Sequence, residues 1–154
     1  MNTRIVMLLA CLLTLAGCGA IAKLMPGHVP TTRLSSLRVA APPGANLNSA
    51  VALDVVFVYN ATATAMLPKT APEWFSQKTA LMTGLGRNVD VVSLQIPPAT
   101  VVDTVRLPDR AGKAIGVYTF ANYQSKDGQA RGDITTNRHA VIWLAASQIA
   151  VTEQ

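Results

Sequence analysis

Side chains suited to nucleophilic, acid–base or metal chemistry are few here: two cysteines, two histidines and eight carboxylates in 154 residues. A serine hydrolase would need its serine on a sharp Gly-x-Ser-x-Gly-like turn, and no such turn occurs. His28 lies in a stretch rich in proline and glycine. His139 follows Arg138 just before an apolar run, which reads as a solvated loop position. Glu73 sits where a helix should start, and Asp109, Asp127 and Asp133 fall in turns, where aspartate serves the backbone. No spacing pairs carboxylates for acid–base work or builds a calcium loop. Catalytic residues, a metal site and a cofactor are therefore not expected, and the chain does not read as an enzyme. Asp54 and Asp103 lie within apolar runs. For Asp54 the expectation is partial exposure near a strand start, the alternative being an ion pair. Arg131-Gly132-Asp133 and Asn60-Ala61-Thr62 match short adhesion and glycosylation patterns that arise by chance.

The cysteines are explained by the amino terminus. Arg4 precedes the apolar run Ile5 to Leu15, which is too short to span a ~30 Å hydrocarbon core. The run ends in Leu15-Ala16-Gly17-Cys18, which resembles the lipobox of bacterial lipoproteins, whose cysteine sulfur receives a diacylglycerol. The expectation is that residues 1–17 are cleaved and that Cys18 becomes the lipidated first residue. Acyl chains bring roughly 0.8 kcal/mol per buried methylene, so two or three anchor stably. Gly19 and Ala20 follow, with no aspartate at the second mature position, and sorting to the periplasmic face of the outer membrane is expected. Cys11 leaves with the leader, so the folded part carries no thiol and neither a disulfide nor cysteine–zinc chemistry.

Composition sets the remaining bounds. With 50% hydrophobic and 14% charged residues the chain should fold, and its length suits one domain. The formal charge is +5, but the basic residues are scattered and give no nucleic-acid patch. Residues 18–33, with Pro26, Gly27 and Pro30, read as a tether, and residues 34–154 as the domain. Within it, Leu37 to Ala40 reads as an edge strand. Val51 to Tyr59, apolar on both faces, reads as a central one. Val89 to Ile96, Val101 to Leu107, Ala114 to Asn122 and Ala140 to Ile149 supply further strands, with Tyr118, Phe120 and Trp143 as core anchors. Thr70-Ala71-Pro72-Glu73 has the form of a capping box opening a helix over Pro72 to Thr83, after a short turn over Thr62 to Leu67. Trp74 and Phe75 would bury that helix on an open sheet face. The fold class is mainly β: a small antiparallel sandwich with one or two short helices inserted after an early strand.

The lipobox Leu15 to Cys18, the two-faced strand Leu53-Asp54-Val55-Val56-Phe57-Val58-Tyr59, the segment Ala71-Pro72-Glu73-Trp74-Phe75 and the late strands Ile115 to Tyr118 and His139 to Ala146 together resemble the outer-membrane lipoprotein of type VI secretion, the TssJ or SciN family. The resemblance spans roughly residues 48 to 150. It implies a transthyretin-like sandwich, and a scaffold that tethers a multi-subunit hetero-oligomeric secretion complex to the outer membrane. It also implies binding to the periplasmic domain of a TssM-like inner-membrane protein through a loop between early strands. In this sequence that loop is Ala41 to Ala50, with Leu47 as apolar contact and Asn46 and Asn48 as hydrogen-bonding groups; the alternative is that these residues only close a turn. The polar turn Ser125 to Asp133 is the second candidate to protrude. A periplasmic binding module, pilotin-like or recognising a small ligand or peptidoglycan, is the competing reading.

Overall fold

The computed structural model describes residues 29–154. The leader 1–17, Cys18, His28 and the first part of the proposed tether lie outside the described residues.

Val51–Val58 forms an eight-residue strand in which every second side chain, from Val51 through Leu53 and Val55 to Phe57, enters the main core, while Val56 and Val58 enter a second one. A strand apolar on both faces must lie between two layers, and this one does. In chain order the elements are β1 (Ser36–Ala41), β2 (Val51–Val58), α1 (Ala61–Met66), α2 (Ala71–Leu85), β3 (Val89–Ile96), β4 (Thr100–Val102), β5 (Gly116–Ala121), β6 (Gly132–Asp133), β7 (His139–Leu144) and β8 (Ile149–Glu153). One sheet, sheet A, has the order β4-β1-β7-β8, and the other, sheet B, has β3-β2-β5-β6. Every ladder is antiparallel except β1 against β7. The inner faces of the sheets share the main core. The outer face of sheet B is covered by α1 and α2, whose Ala63, Leu67, Ala71, Trp74 and Leu85 close over Val56, Val58, Tyr118 and Phe120. Trp74 is fully buried and stacks on Phe120 with centroids 4.8 Å apart. The helix thus packs on an open sheet face, as its apolar residues require.

Several expectations need correction. β1 is interior, not an edge, because it pairs with β4 and β7. Of the segment read as Val101 to Leu107 only Val101 and Val102 are strand, in β4; beyond them Val105 is buried in the main core and its N–H donates to Leu37 O outside any ladder. Ala140 to Ile149 is not one strand but the hairpin of β7 and β8, closed by the Ala145 N–H donating to Gln148 O. Trp143 is no core anchor: it pairs with Ala40 on the outer face of sheet A, is 44% exposed, and donates from Nε1 to Thr152 Oγ1. The capping pair also closes differently, since the Thr70 hydroxyl donates to Glu73 Oε2 at 2.9 Å and caps no backbone amide. Asn60 caps α1, accepting from Ala63 N at 2.7 Å, which is the structural role of the Asn60-Ala61-Thr62 triplet.

Asp54 overturns the expectation of partial exposure. It is 2% exposed, and its Oδ2 accepts from Trp74 Nε1 and from Lys78 Nζ at 2.8 Å, so the ion-pair alternative holds. Both partners come from α2, one helical turn apart.

Candidate functional site

The link between β1 and β2 is the most unusual piece of backbone in the described chain. Pro42 and Pro43 end β1, and Gly44 turns the chain at φ 86°. Asn46, Leu47 and Asn48 then follow with φ of 46°, 54° and 62°. Three consecutive non-glycine residues in the left-handed region are costly, at about 1–2 kcal/mol each, and least so for asparagine. Leucine has no side-chain oxygen to offset that cost.

The neighbours hold this conformation in place. Asn46 is buried, its Oδ1 accepts from Gln124 N at 2.8 Å, its Nδ2 donates to Ala50 O, and its backbone N donates to Ala145 O at 3.1 Å. Asn48 Oδ1 accepts from Gly44 N, and Gln124 Nε2 donates to Ser49 Oγ. Beneath them the buried Tyr123 hydroxyl donates to Ala145 O and Gln148 O, and burial pushes its pKa up to about 12. The three site residues read from the sequence therefore divide. Asn46 is turned inward and its amide is used within the chain. Asn48 is exposed but closes the turn. Leu47 projects, 63% exposed, and belongs to neither hydrophobic core.

Next to the loop stem lies a shallow apolar groove of about 450 Å³, lined by Ala40, Ala41, Pro42, Pro43, Ala99, Val101 and Trp143. Val101 is 51% exposed. Sequence reasoning missed the exposure of Val101 and Trp143, although the strand parity that turns Trp143 to the face opposite Leu144 was available. Segment Ser125 to Asp133 is tied down over Gln129 to Arg131, where Gln129 O accepts from Ala71 N, Lys69 O accepts from Arg131 N, and Thr70 bridges Ala130, while Lys126 and Asp127 are exposed. Of the Arg-Gly-Asp triplet, Arg131 lies over the Tyr118 ring and Gly132 pairs with Thr119, while Asp133 is exposed.

The chemical inventory is short. His139 Nδ1 lies 2.9 Å from Ser36 Oγ, but the nearby Glu153 carboxylate accepts from the Arg138 and His139 backbone amides and not from the imidazole. Asp90 is gripped by Arg110 through two hydrogen bonds and receives the Tyr59 hydroxyl at 2.6 Å, an arrangement that engages both carboxylate oxygens. Among the described residues no three His, Cys, Asp or Glu side chains converge to hold a metal.

The described residues thus form a helix-covered β-sandwich with a strained, strapped loop between its first two strands. No family model matches the chain, and no curated protein sequence matches it significantly. Solved structures do. The type VI secretion lipoprotein TssJ1 from Pseudomonas aeruginosa superposes with a TM-score of 0.58 at 18% identity, covering 81% of this chain and 98% of that one. Serratia marcescens Lip, a membrane-bound component of the type VI secretion system, gives 0.56 at 14% identity with the same coverage. A chain of a type VI membrane complex gives 0.51 at 15%, covering 80% of this chain and 98% of its own. The chain has the TssJ fold.

Proposed function

We propose that this chain is the outer-membrane lipoprotein of a type VI secretion membrane complex, anchored through Cys18 and docking by the Leu47 loop onto the periplasmic domain of a TssM-like inner-membrane protein. The observation that carries the reading is Leu47, an exposed leucine held at positive φ beside the buried and hydrogen-bonded Asn46. Strain of this kind persists only where the surroundings enforce it, and it concentrates at working surfaces.

The arrangement of the ends supports a tethering role. Thr32 is where the chain joins the domain, its N donating to Ala114 O and its hydroxyl to Thr135 O. Strand β1 then carries the chain from that pole to the Leu47 loop at the other, and β2 carries it back over a length of about 25 Å. The 14 residue steps from Cys18 to Thr32 span at most about 50 Å when extended. A lipid at one pole and a docking loop at the other suit a subunit placed between a membrane and its partner.

Two measurements test this. A palmitate analogue should label the wild type and not Cys18→Ser; equal labelling removes the anchor. Leu47→Asp should reduce co-purification of the partner's periplasmic domain while the melting temperature stays nearly unchanged. Intact binding, or loss of binding together with folding, removes the loop from the interface.

A further inference from the structure

The two edges of sheet B differ in kind. β6 contributes two residues, whereas β3 runs for eight in unbroken register with β2, from Val89 opposite Val58 to Ile96 opposite Val51. In an antiparallel ladder alternate residues turn both backbone polar groups to the same neighbour. The Ala52 and Val58 carbonyls accept from Asn122 N and Ile115 N on the β5 side. Val51, Leu53, Val55 and Phe57 therefore face β3, where Ile96, Leu94, Val92 and Asp90 answer them. Val89, Val91, Ser93 and Gln95 are left with four N–H and four C=O groups aimed out of the sheet, and none has a hydrogen-bond partner among the described residues.

Edges are normally guarded by brevity, bulges, proline or charge. β4 is guarded by its three-residue length and by Pro97-Pro98 before it. The outward positions of β3 carry two valines, a serine and a glutamine, and Ser93 and Gln95 are exposed. Beside the first half of the strand lies an open groove of about 380 Å³, between Asp90, Val91 and Val92 on one wall and Arg106 to Asp109 on the other. Backbone groups in want of partners and a channel along them are the two requirements for strand addition.

Charge selects the occupant. Arg87, two residues before β3, and Arg106, across the groove, are exposed and outside every salt bridge of the described residues, against the single unpaired carboxylate of Asp109. Asp54 and Asp90 are already neutralised by Lys78 and Arg110. A second copy of this chain would bring the same two guanidinium groups to the same edge. We propose that the β3 edge takes up an extended, acidic segment of another protein as an added strand, with main-chain hydrogen bonds giving affinity and Arg87 and Arg106 favouring carboxylates. This surface is separate from the Leu47 loop and does not depend on its role.

The test uses the full chain in detergent and two synthetic octapeptides of alternating threonine and valine, one ended by glutamates and one by lysines. In the free protein the amides of Val91, Ser93 and Gln95 should exchange much faster than those of Val92 and Leu94. The glutamate peptide should protect them and bind about tenfold tighter than the lysine peptide, the effect of two exposed ion pairs. Gln95→Pro, which removes an outward N–H and no ladder bond, should abolish protection. Gln95→Glu keeps every backbone group and should weaken the glutamate peptide alone. The proposal fails if neither peptide protects the edge or if Gln95→Pro binds as well as wild type. It fails equally if the lysine peptide binds tighter. Protection already present in the free chain, through its own residues or through a dimer that Gln95→Pro dissolves, would also overturn it.

Discussion

Trp74 Nε1 donates to Asp54 Oδ2 at 2.7 Å, joining α2 to the centre of β2 through a polar contact enclosed on all sides. The same oxygen receives Lys78 Nζ, which also donates to Ser93 Oγ on β3. One carboxylate therefore fixes a helix over two strands.

Asp54→Ala should destabilise the protein by about 2–3 kcal/mol, because the indole N–H is left buried without an acceptor. Lys78, one-third exposed, can swing to water and adds little. Asp54→Asn keeps an acceptor and should cost about 1 kcal/mol less. Urea unfolding checks both, and a loss below ~0.5 kcal/mol for Asp54→Ala would remove this contact as the clamp.

Acid should act through Asp90. The Arg110 hydrogen bonds hold its carboxyl below the ordinary range, with a contribution from the Tyr59 hydroxyl, against the opposing effect of burial. The unfolded carboxyl binds protons more tightly than the folded one, so this stability is present above about pH 4 and is lost as pH falls through the lowered value. Asp90→Asn should be less stable than wild type at neutral pH, and the two should converge toward pH 2–3 in pH-dependent melting, roughly where ordinary carboxyls are protonated. A gap that stays constant with pH would contradict this.

Leu47→Gly should raise stability by about 0.5–1 kcal/mol, the relief of a left-handed leucine less the extra chain entropy of glycine. Partner binding should weaken in the same variant. Calorimetry and co-purification on one protein preparation test both halves.

Thr119 lies in the core with its hydroxyl lacking any partner, and the absent Cβ of Gly132 leaves just enough room for it. Thr119→Val replaces that hydroxyl with a methyl of similar shape and should stabilise the protein by about 1 kcal/mol. Destabilisation would show that the hydroxyl is satisfied.

Much of the fold was legible because its signals were local. β3 is bounded by Pro97-Pro98 and matches its expected limits, and the helix begins within one residue of the proline that announces it. Errors arose where pairing decides. β1 looks like an edge from its length, and only the chain a hundred residues later supplies its second neighbour. The β7–β8 turn, Ala145-Ala146-Ser147, has no glycine or proline to mark it. Asp54 could not be paired from spacing alone, since its partners lie 20 and 24 residues on in another element. Leu47 was singled out by resemblance, whereas its left-handed backbone was not legible, because nothing in Asn46-Leu47-Asn48 requires it for leucine.

The parallel ladder between β1 and β7 matches Ser36 with His139, and Ala40 with Trp143. A chain delivered amino terminus first thus exposes β1 long before its central neighbour arrives, and sheet A closes only after the loop between them has been collected at an entropic cost that grows with its length. Such a topology places the molecule among slow folders, in the millisecond-to-second range typical of sandwiches dominated by distant pairings. During that interval β1 has at most β4 on one side and an apolar edge open on the other, so yield should depend on holding the nascent chain apart from its copies until the last strands are delivered.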